Sequence, residues 1–376
     1  MGKSDRSQIM SMVMRKRRKT IEDSRPRPPE DLLEEIAAHV AAGSNVLFVT
    51  GAGISVSAGI PAFRTGADAV WTEQIVELGT RKALRRDPVG WYNSFWLPTF
   101  ECSKIRNARR TAAHEALGAV ARVARGVKVV TQNVDGLHVG SIPDPQLIEA
   151  HGRSGLFRCG GFGAATGGRS RCPLKVATTE WYEMGELEAE DRTVVERARA
   201  SDGSEATRGA GFPRCPRCPR CGASLAPLSL LFDENYDAHF FFEAEAWDGW
   251  LDDADAIVFA GTSFAVQMTR EALRRAKETD IPVFNLNIDE PPDVVANAAM
   301  LRRNSVLLAC DVSFPRLAAL VKAKLRAAGR SAPPARKPRR DDDDDDEEEE
   351  EASACVSPSP PVVTTSDDAA SATSSS

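Results

Sequence analysis

The residues able to do chemistry in this 376-residue chain recur just after short apolar runs. Gly51, Gly53 and Gly59 follow Val46-Leu47-Phe48-Val49, and Gln132-Asn133-Val134-Asp135 follows residues 127–131. His151 comes after Leu147-Ile148-Glu149-Ala150, Gly261-Thr262-Ser263 after residues 255–260, and Asn287 closes residues 281–287. Glycines after a buried strand let backbone come close to a ligand without Cβ interference, and the amides that follow can hold a phosphate. An imidazole has its pKa near operating pH, so His151 can take a proton from a hydroxyl and return it. Five of the eight cysteines crowd between Cys159 and Cys221. Without a recognisable secretion signal, such clustering points to a metal before disulfides.

The elements that must carry these groups alternate between helix and strand. A helix opens at Glu30 and Asp31 with Leu32, Leu33, Ile36 and Val40 on its apolar face, and Gly43 suits its C-cap. A second spans residues 111–125 with His114, Leu117, Val120 and Ala121, and others run to about Glu278 and through Leu317, Leu320, Val321 and Leu325. The apolar runs between them, including 305–309, read as buried strands. Helix–strand alternation with polar groups at strand ends is the pattern of an open α/β sheet that binds ligands there. Residues 66–110 hold Trp71, Trp91, Tyr92, Phe95, Trp96 and Phe100 without a clean period, and are expected to form a helical cap on the core. Residues 152–230 turn rich in Gly, Arg and Pro, with a linker-like insert at about 186–212.

Charge is concentrated at the ends. Residues 341–351 are eleven consecutive acids, without which the net charge of −6 would be positive. Residues 1–29 read as a disordered basic arm whose cluster at 15–19 suits a nuclear address, and residues 330–376 as a disordered tail. The acidic run could engage histones or other basic partners and the basic clusters nucleic acid. No apolar run approaches the roughly 20 residues that cross a bilayer.

The segments GAGISVSAGIPAFR, TQNVDGLH, EAHG, GTSFAV and NLNIDE stand here in the order they take in the sirtuins, NAD-dependent protein-lysine deacylases, which residues 31–328 resemble. The resemblance implies a Rossmann-like parallel sheet domain (30–151 and 231–329) with a small inserted zinc-ribbon domain (152–230). It implies that Gly51, Ala52, Gly53 and Ser55 approach the pyrophosphate of NAD, and that Phe63 and Arg64 lie at its nicotinamide-ribose end. Asn133 and Asp135 would shape the nicotinamide pocket, Gln132 would meet the ribose, and Gly261, Thr262, Ser263, Asn287 and Cys310 would hold the adenosine. Val134 and Phe232 would contact the acyl-lysine protein substrate. The usual dehydrogenase fingerprint is not met, because Val56 occupies its third glycine position.

The mechanism so implied starts with the acyl oxygen attacking the ribose C1′ as nicotinamide leaves. His151 then acts as general base on a ribose hydroxyl, giving lysine, nicotinamide and O-acyl-ADP-ribose. Mono-ADP-ribosyl transfer, or NAD binding alone in a chromatin-associated protein, are the alternatives. The family's structural zinc maps onto Cys159, Cys172, Cys218 and Cys221, with Cys215 as substitute. Ala62 stands where many relatives carry Asp, and Phe232-Asp233-Glu234 replaces the commoner Phe-Gly-Glu. A Tyr-x-x-Arg pair that would read an acidic acyl group is not visible after Trp71, which favours acetyl or another neutral acyl chain.

Overall fold

A computed structural model describes residues 26–61, 73–100, 103–161, 182–183, 215–218, 221–236, 242–293, 295 and 298–329. The charge clusters, the insert at about 186–212, Ala62, Phe63, Arg64 and Cys172 lie outside them.

Chain order begins with α1 (Pro29–Ala42), which starts at Pro28-Pro29, carries Glu30 and Asp31 in its first turn and stops at Gly43 in the left-handed region. Its predicted apolar face, Leu32, Leu33, Ile36 and Val40, is buried. β1 (Val46–Thr50) follows, then short helices α2 (Glu73–Leu78), α3 (Arg81–Arg86) and α4 (Pro88–Trp91), a wider π turn at Tyr92–Trp96, α5 (Leu97–Phe100) and α6 (Ser103–Arg106). Next come α7 (Ala112–Val123), β2 (Val127–Thr131), β3 (Leu147–Glu149), β4 (Gly152–Cys159), β5 (Tyr182–Glu183) and β6 (Leu225–Ser229). The chain then runs through α8 (Ala244–Asp252), β7 (Ala256–Ala260), α9 (Gln267–Thr279), β8 (Val283–Asn287), α10 (Ala298–Arg303), β9 (Ser305–Leu307) and α11 (Cys310–Ala327). α7 is shorter than the predicted 111–125 because Thr111 is its cap: its side chain and that of His114 close a reciprocal capping box.

Six strands form one parallel sheet in the order β3-β2-β1-β7-β8-β9. That is a doubly wound, Rossmann-like topology, and its order reverses between β1 and β7. β1 and β7 are buried along their whole length, which is why they read as unbroken apolar runs. One face packs on α1, α7 and α11, through residues such as Leu33, Leu117 and Leu317. The other packs on α8 and α9 through Trp247, Leu251, Met268 and Leu273.

A second, antiparallel sheet, β5-β4-β6, arises from the stretch that gave no strand signal. Gly152–Cys159 mixes Gly, Arg and Ser with only two aliphatic or aromatic residues in line, so neither alternation nor an apolar run marks it. The aromatic cap packs against this sheet: Trp91, Tyr92, Phe95 and Trp96 share a core with Phe157, Cys159, Cys218 and Leu225. Trp91 stacks on Trp96 at 5.4 Å, Trp96 on Phe100 at 4.5 Å, and the Tyr92 hydroxyl donates to the Leu225 carbonyl at 3.0 Å. The expected cap on the core is therefore a cap on the cysteine module.

Candidate active site

The site forms where the sheet order reverses. β1 and β7 pair in register from Val46↔Ala256 to Thr50↔Ala260, so the turns that follow them lie against each other. The Gly51 amide donates to the Ala260 carbonyl at 3.0 Å and the Gly53 amide to the Gly261 carbonyl at 2.8 Å. A Cβ on Gly53 would lie 2.6 Å from the Gly261 Cα, and one on Gly51 would lie 2.8 Å from the Gly261 oxygen. The glycines are thus required by backbone packing on backbone, and both also lie on the cavity wall. Of the three turn amides, only that of Ala52 is left for a phosphate.

β2 delivers the polar set. The Gln132 amide donates to the Thr50 carbonyl at 2.9 Å, and its side chain donates to the Thr262 hydroxyl at 3.1 Å. Asn133, nearly buried, donates through Nδ2 to the Gly51 carbonyl at 3.2 Å and to Ser55 Oγ at 3.1 Å. Ser55 donates in turn to Asp135 Oδ2 at 2.7 Å, and the Leu137 amide to Asp135 Oδ1 at 2.9 Å. Ser55 is fully buried, and its hydroxyl braces Asn133 and Asp135. Across the reversal point, Asn287 Nδ2 donates to the Thr262 carbonyl at 2.9 Å.

His151 sits just past β3. Its Nδ1 lies 2.8 Å from the Gln132 carbonyl oxygen, which can only accept, so Nδ1 carries the proton and Nε2 is the basic nitrogen. Burial lowers the imidazole pKa to about 4, with the Gln132 carbonyl opposing the shift, so the ring is neutral at neutral pH.

These groups line one cavity of about 1000 Å³, at the upper end of ligand-pocket volumes and roomy enough for a dinucleotide. Gly51, Ala52, Gly53, Gln132, Asn133, Val134, Asp135, His151, Phe232, Gly261, Thr262, Ser263, Asn287 and Cys310 are on its wall. Phe63 and Arg64 lie outside the described residues. Cys310 is buried, and burial foremost pushes its thiol up to about 12. It is a neutral wall group there, not a nucleophile.

Sequence reasoning missed Asp311 and Tyr236 on the same wall. Asp311 accepts from Ser57 and, at 2.8 Å, from the Ala113 amide, joining the glycine turn, α7 and α11. Burial alone would raise its pKa, but hydrogen bonds from Ser57, Ala113 and Thr111 outweigh that and hold it low. Behind the site His114 and His138 are buried with ring centroids 4.7 Å apart, and His138 Nε2 lies 3.1 Å from the Thr50 hydroxyl. Both pKa values are lowered, by burial first.

Asp233, the unexplained departure at Phe232-Asp233-Glu234, has a clear role. Its carboxylate accepts the first amides of α3, from Arg81 at 2.6 Å and Lys82 at 3.1 Å. Glu234 accepts from Arg81 at 2.6 Å and from buried Arg158 at 2.7 Å. The pair ties the segment after β6 to the cap and to β4.

The cysteines gather at the far end of β4. Sγ atoms of Cys159, Cys218 and Cys221 lie within 4.8 Å of one another, with Cys159 and Cys221 3.6 Å apart. Tetrahedral zinc with Zn–S near 2.3 Å needs S···S separations of about 3.8 Å, so the three thiols suit that ion. A tight knuckle presents two of them: the Cys218 amide donates to the Ala223 carbonyl at 2.7 Å and the Gly222 amide to the Cys218 carbonyl at 2.8 Å. Cys215 is buried nearby but outside this group, its thiol directed to the Pro216 carbonyl at 3.5 Å. Cys172 lies outside the described residues.

The sequence model of the Sir2 family matches residues 51–268. The NAD-dependent deacetylase sir2E of Dictyostelium discoideum is 33% identical over 276 residues, covering 73% of this chain and 75% of that protein. An NAD-dependent protein deacylase of Pyrococcus abyssi is 29% identical over 261 residues, 69% and 88% of the two chains. Among solved structures, a Sir2 homolog–NAD complex superposes with a TM-score of 0.55 at 25% identity, over 80% of this chain and 96% of that one.

Proposed function

Because the chain belongs to the Sir2 family, we propose that it is an NAD-dependent protein-lysine deacylase, releasing nicotinamide, free lysine and O-acyl-ADP-ribose. The observation that carries this reading is His151, held through Nδ1 by the Gln132 carbonyl on the wall of a dinucleotide-sized cavity. Bound NAD supplies an ADP-ribose carbon that accepts the acyl oxygen as nicotinamide departs. The protein's part is to bind, orient and move a proton. The Ala52 amide takes a phosphate oxygen, and the Thr262–Asn287 corner holds the adenosine end. Asn133 and Asp135, braced by Ser55, shape the nicotinamide pocket. Nε2 of neutral His151 accepts the proton of a ribose hydroxyl, so that this oxygen can attack the acyl carbon, from which the lysine amine then leaves as a solvent water adds to complete the ester.

Ile75, Phe95, Trp96, Phe100, Leu231 and Phe232 contribute apolar wall to the same cavity, which supports a neutral acyl group on the substrate lysine. The three-thiol cluster supports a zinc ion that joins β4 to the knuckle before β6. Such a closed site stabilises the module and takes no part in proton transfer.

The test is to incubate the full chain with NAD and acetyl-lysine peptide, following nicotinamide and O-acetyl-ADP-ribose. Both should accumulate, and His151→Ala should keep NAD binding while losing O-acetyl-ADP-ribose formation. Equal product formation by the variant would remove His151 from the mechanism.

A further inference from the structure

His151 is fixed along one edge by a single hydrogen bond, and the terminal torsion of a histidine is intrinsically broad. Something must hold the plane of the ring. The residue in position to do so is Tyr236, whose ring stacks on the imidazole with centroids 5.8 Å apart and planes inclined by 24°. We propose that Tyr236 is a positioning residue for the general base, setting the imidazole plane so that Nε2 meets the ribose hydroxyl. This rests on the deacylase reading above.

Four observations make the stack a built feature. Tyr236 shares the cavity wall with His151. Its ring packs against Phe242 at 4.7 Å, so the ring is itself held. The segment that carries it is anchored to the catalytic strand, the Leu230 amide donating to the His151 carbonyl at 2.9 Å. It is anchored again to the cap, through the Phe232 amide on the Gly79 carbonyl at 2.8 Å and through Asp233 and Glu234 on Arg81. Phe232-Asp233-Glu234 and Tyr236 therefore form one device: the acids lock the segment, and the lock sets the ring over the base.

An aromatic pair of this kind corresponds to roughly a tenfold effect when it acts on the reacting geometry. The experiment compares wild type with Tyr236→Leu and Tyr236→Phe in the full chain, using NAD and an acetyl-lysine peptide. Two rates are read: formation of O-acetyl-ADP-ribose, and incorporation of labelled nicotinamide into NAD. The second needs nicotinamide departure and return but not the proton transfer assigned to His151.

Tyr236→Leu should lower kcat for product about tenfold at unchanged KM for NAD and peptide, with nicotinamide exchange preserved. Tyr236→Phe keeps the stacked ring and should stay near wild type in both. The proposal is overturned if Tyr236→Leu forms product at the wild-type rate. It is also overturned if exchange falls in parallel with product, or if the Phe variant is as impaired as the Leu variant, since either means general damage. A wild-type chain that binds NAD yet releases no nicotinamide overturns the deacylase reading itself, a result distinct from an active wild type with an unimpaired Leu variant.

Discussion

Gly53→Ala tests the claim that the site is built by two turns packed backbone to backbone. The new methyl would sit 2.6 Å from the Gly261 Cα, 3.0 Å from its carbonyl oxygen and 3.1 Å from its carbonyl carbon. None of these is the yielding tip of a side chain. The packing is equally tight from the other side, where a Cβ on Gly261 would lie 2.7 Å from the Gly53 Cα. To reach an ordinary separation of 3.4 Å the turns must part by about 0.8 Å. Overpacking of this kind costs about 1–3 kcal/mol. Parting also stretches the 2.8 Å hydrogen bond from Gly53 to Gly261, worth about 0.5–1.5 kcal/mol.

A total near 2–4 kcal/mol is a large share of a typical folding stability of about 5–15 kcal/mol. It should lower Tm by roughly 3–6 °C in a fold of this size. Because Ala52 rides between Gly51 and Gly53, NAD affinity should fall as well, measured by calorimetry on protein kept below its new Tm. Gly249→Ala is the control: it lies in α8 with nothing within 4 Å of the added methyl, and should be neutral or stabilising by about 0.5–1 kcal/mol. A Gly53→Ala protein with wild-type Tm and wild-type NAD affinity would show that the turns part freely, and the packing argument would fail.

Two further outcomes are expected. Cys218→Ser should lose bound zinc and lower the melting temperature, because it removes one of three convergent thiols from the module on which the aromatic cap packs; an undiminished one-to-one zinc content by metal analysis would assign the ion to other ligands. Stability should also fall on mild acidification, since burial depresses the pKa of His151 to about 4 and lowers those of His114 and His138. The unfolded chain then binds more protons below pH 6.5, so this contribution is fully present above 6.5 and is lost as pH falls from there toward 4. Urea midpoints should drop between pH 7 and 5, and less steeply in His138→Asn; a flat profile, or an unchanged slope in the variant, would contradict the assignment.

How much was legible in the sequence follows from how local each signal is. The strands of the main sheet announce themselves because a strand buried on both faces must be apolar along its whole length, as β1 and β7 are. The ends of α1 were equally readable, since Pro, acid and Gly act within one turn of their own positions. β4 was not, because its residues become a strand only by pairing with β6 some seventy positions later, and its mixed composition carries no period. The glycines were legible by position but not for all they do: sequence shows that a Cβ is missing, but not that part of the space belongs to Gly261.

The sequence by itself determined the doubly wound sheet, the polar groups at its strand ends, the histidine to bet on and the cysteines to suspect, because each is a choice of residue type beside a local apolar run. Tertiary structure alone decided which of these groups meet. It turned Ser55 inward to brace Asn133 and Asp135, brought Cys159 across to Cys218 and Cys221, made Asp233 a cap for α3, and laid Tyr236 on His151. Each of those contacts joins residues at least 59 positions apart, and no local periodicity encodes a distance in space that only packing creates.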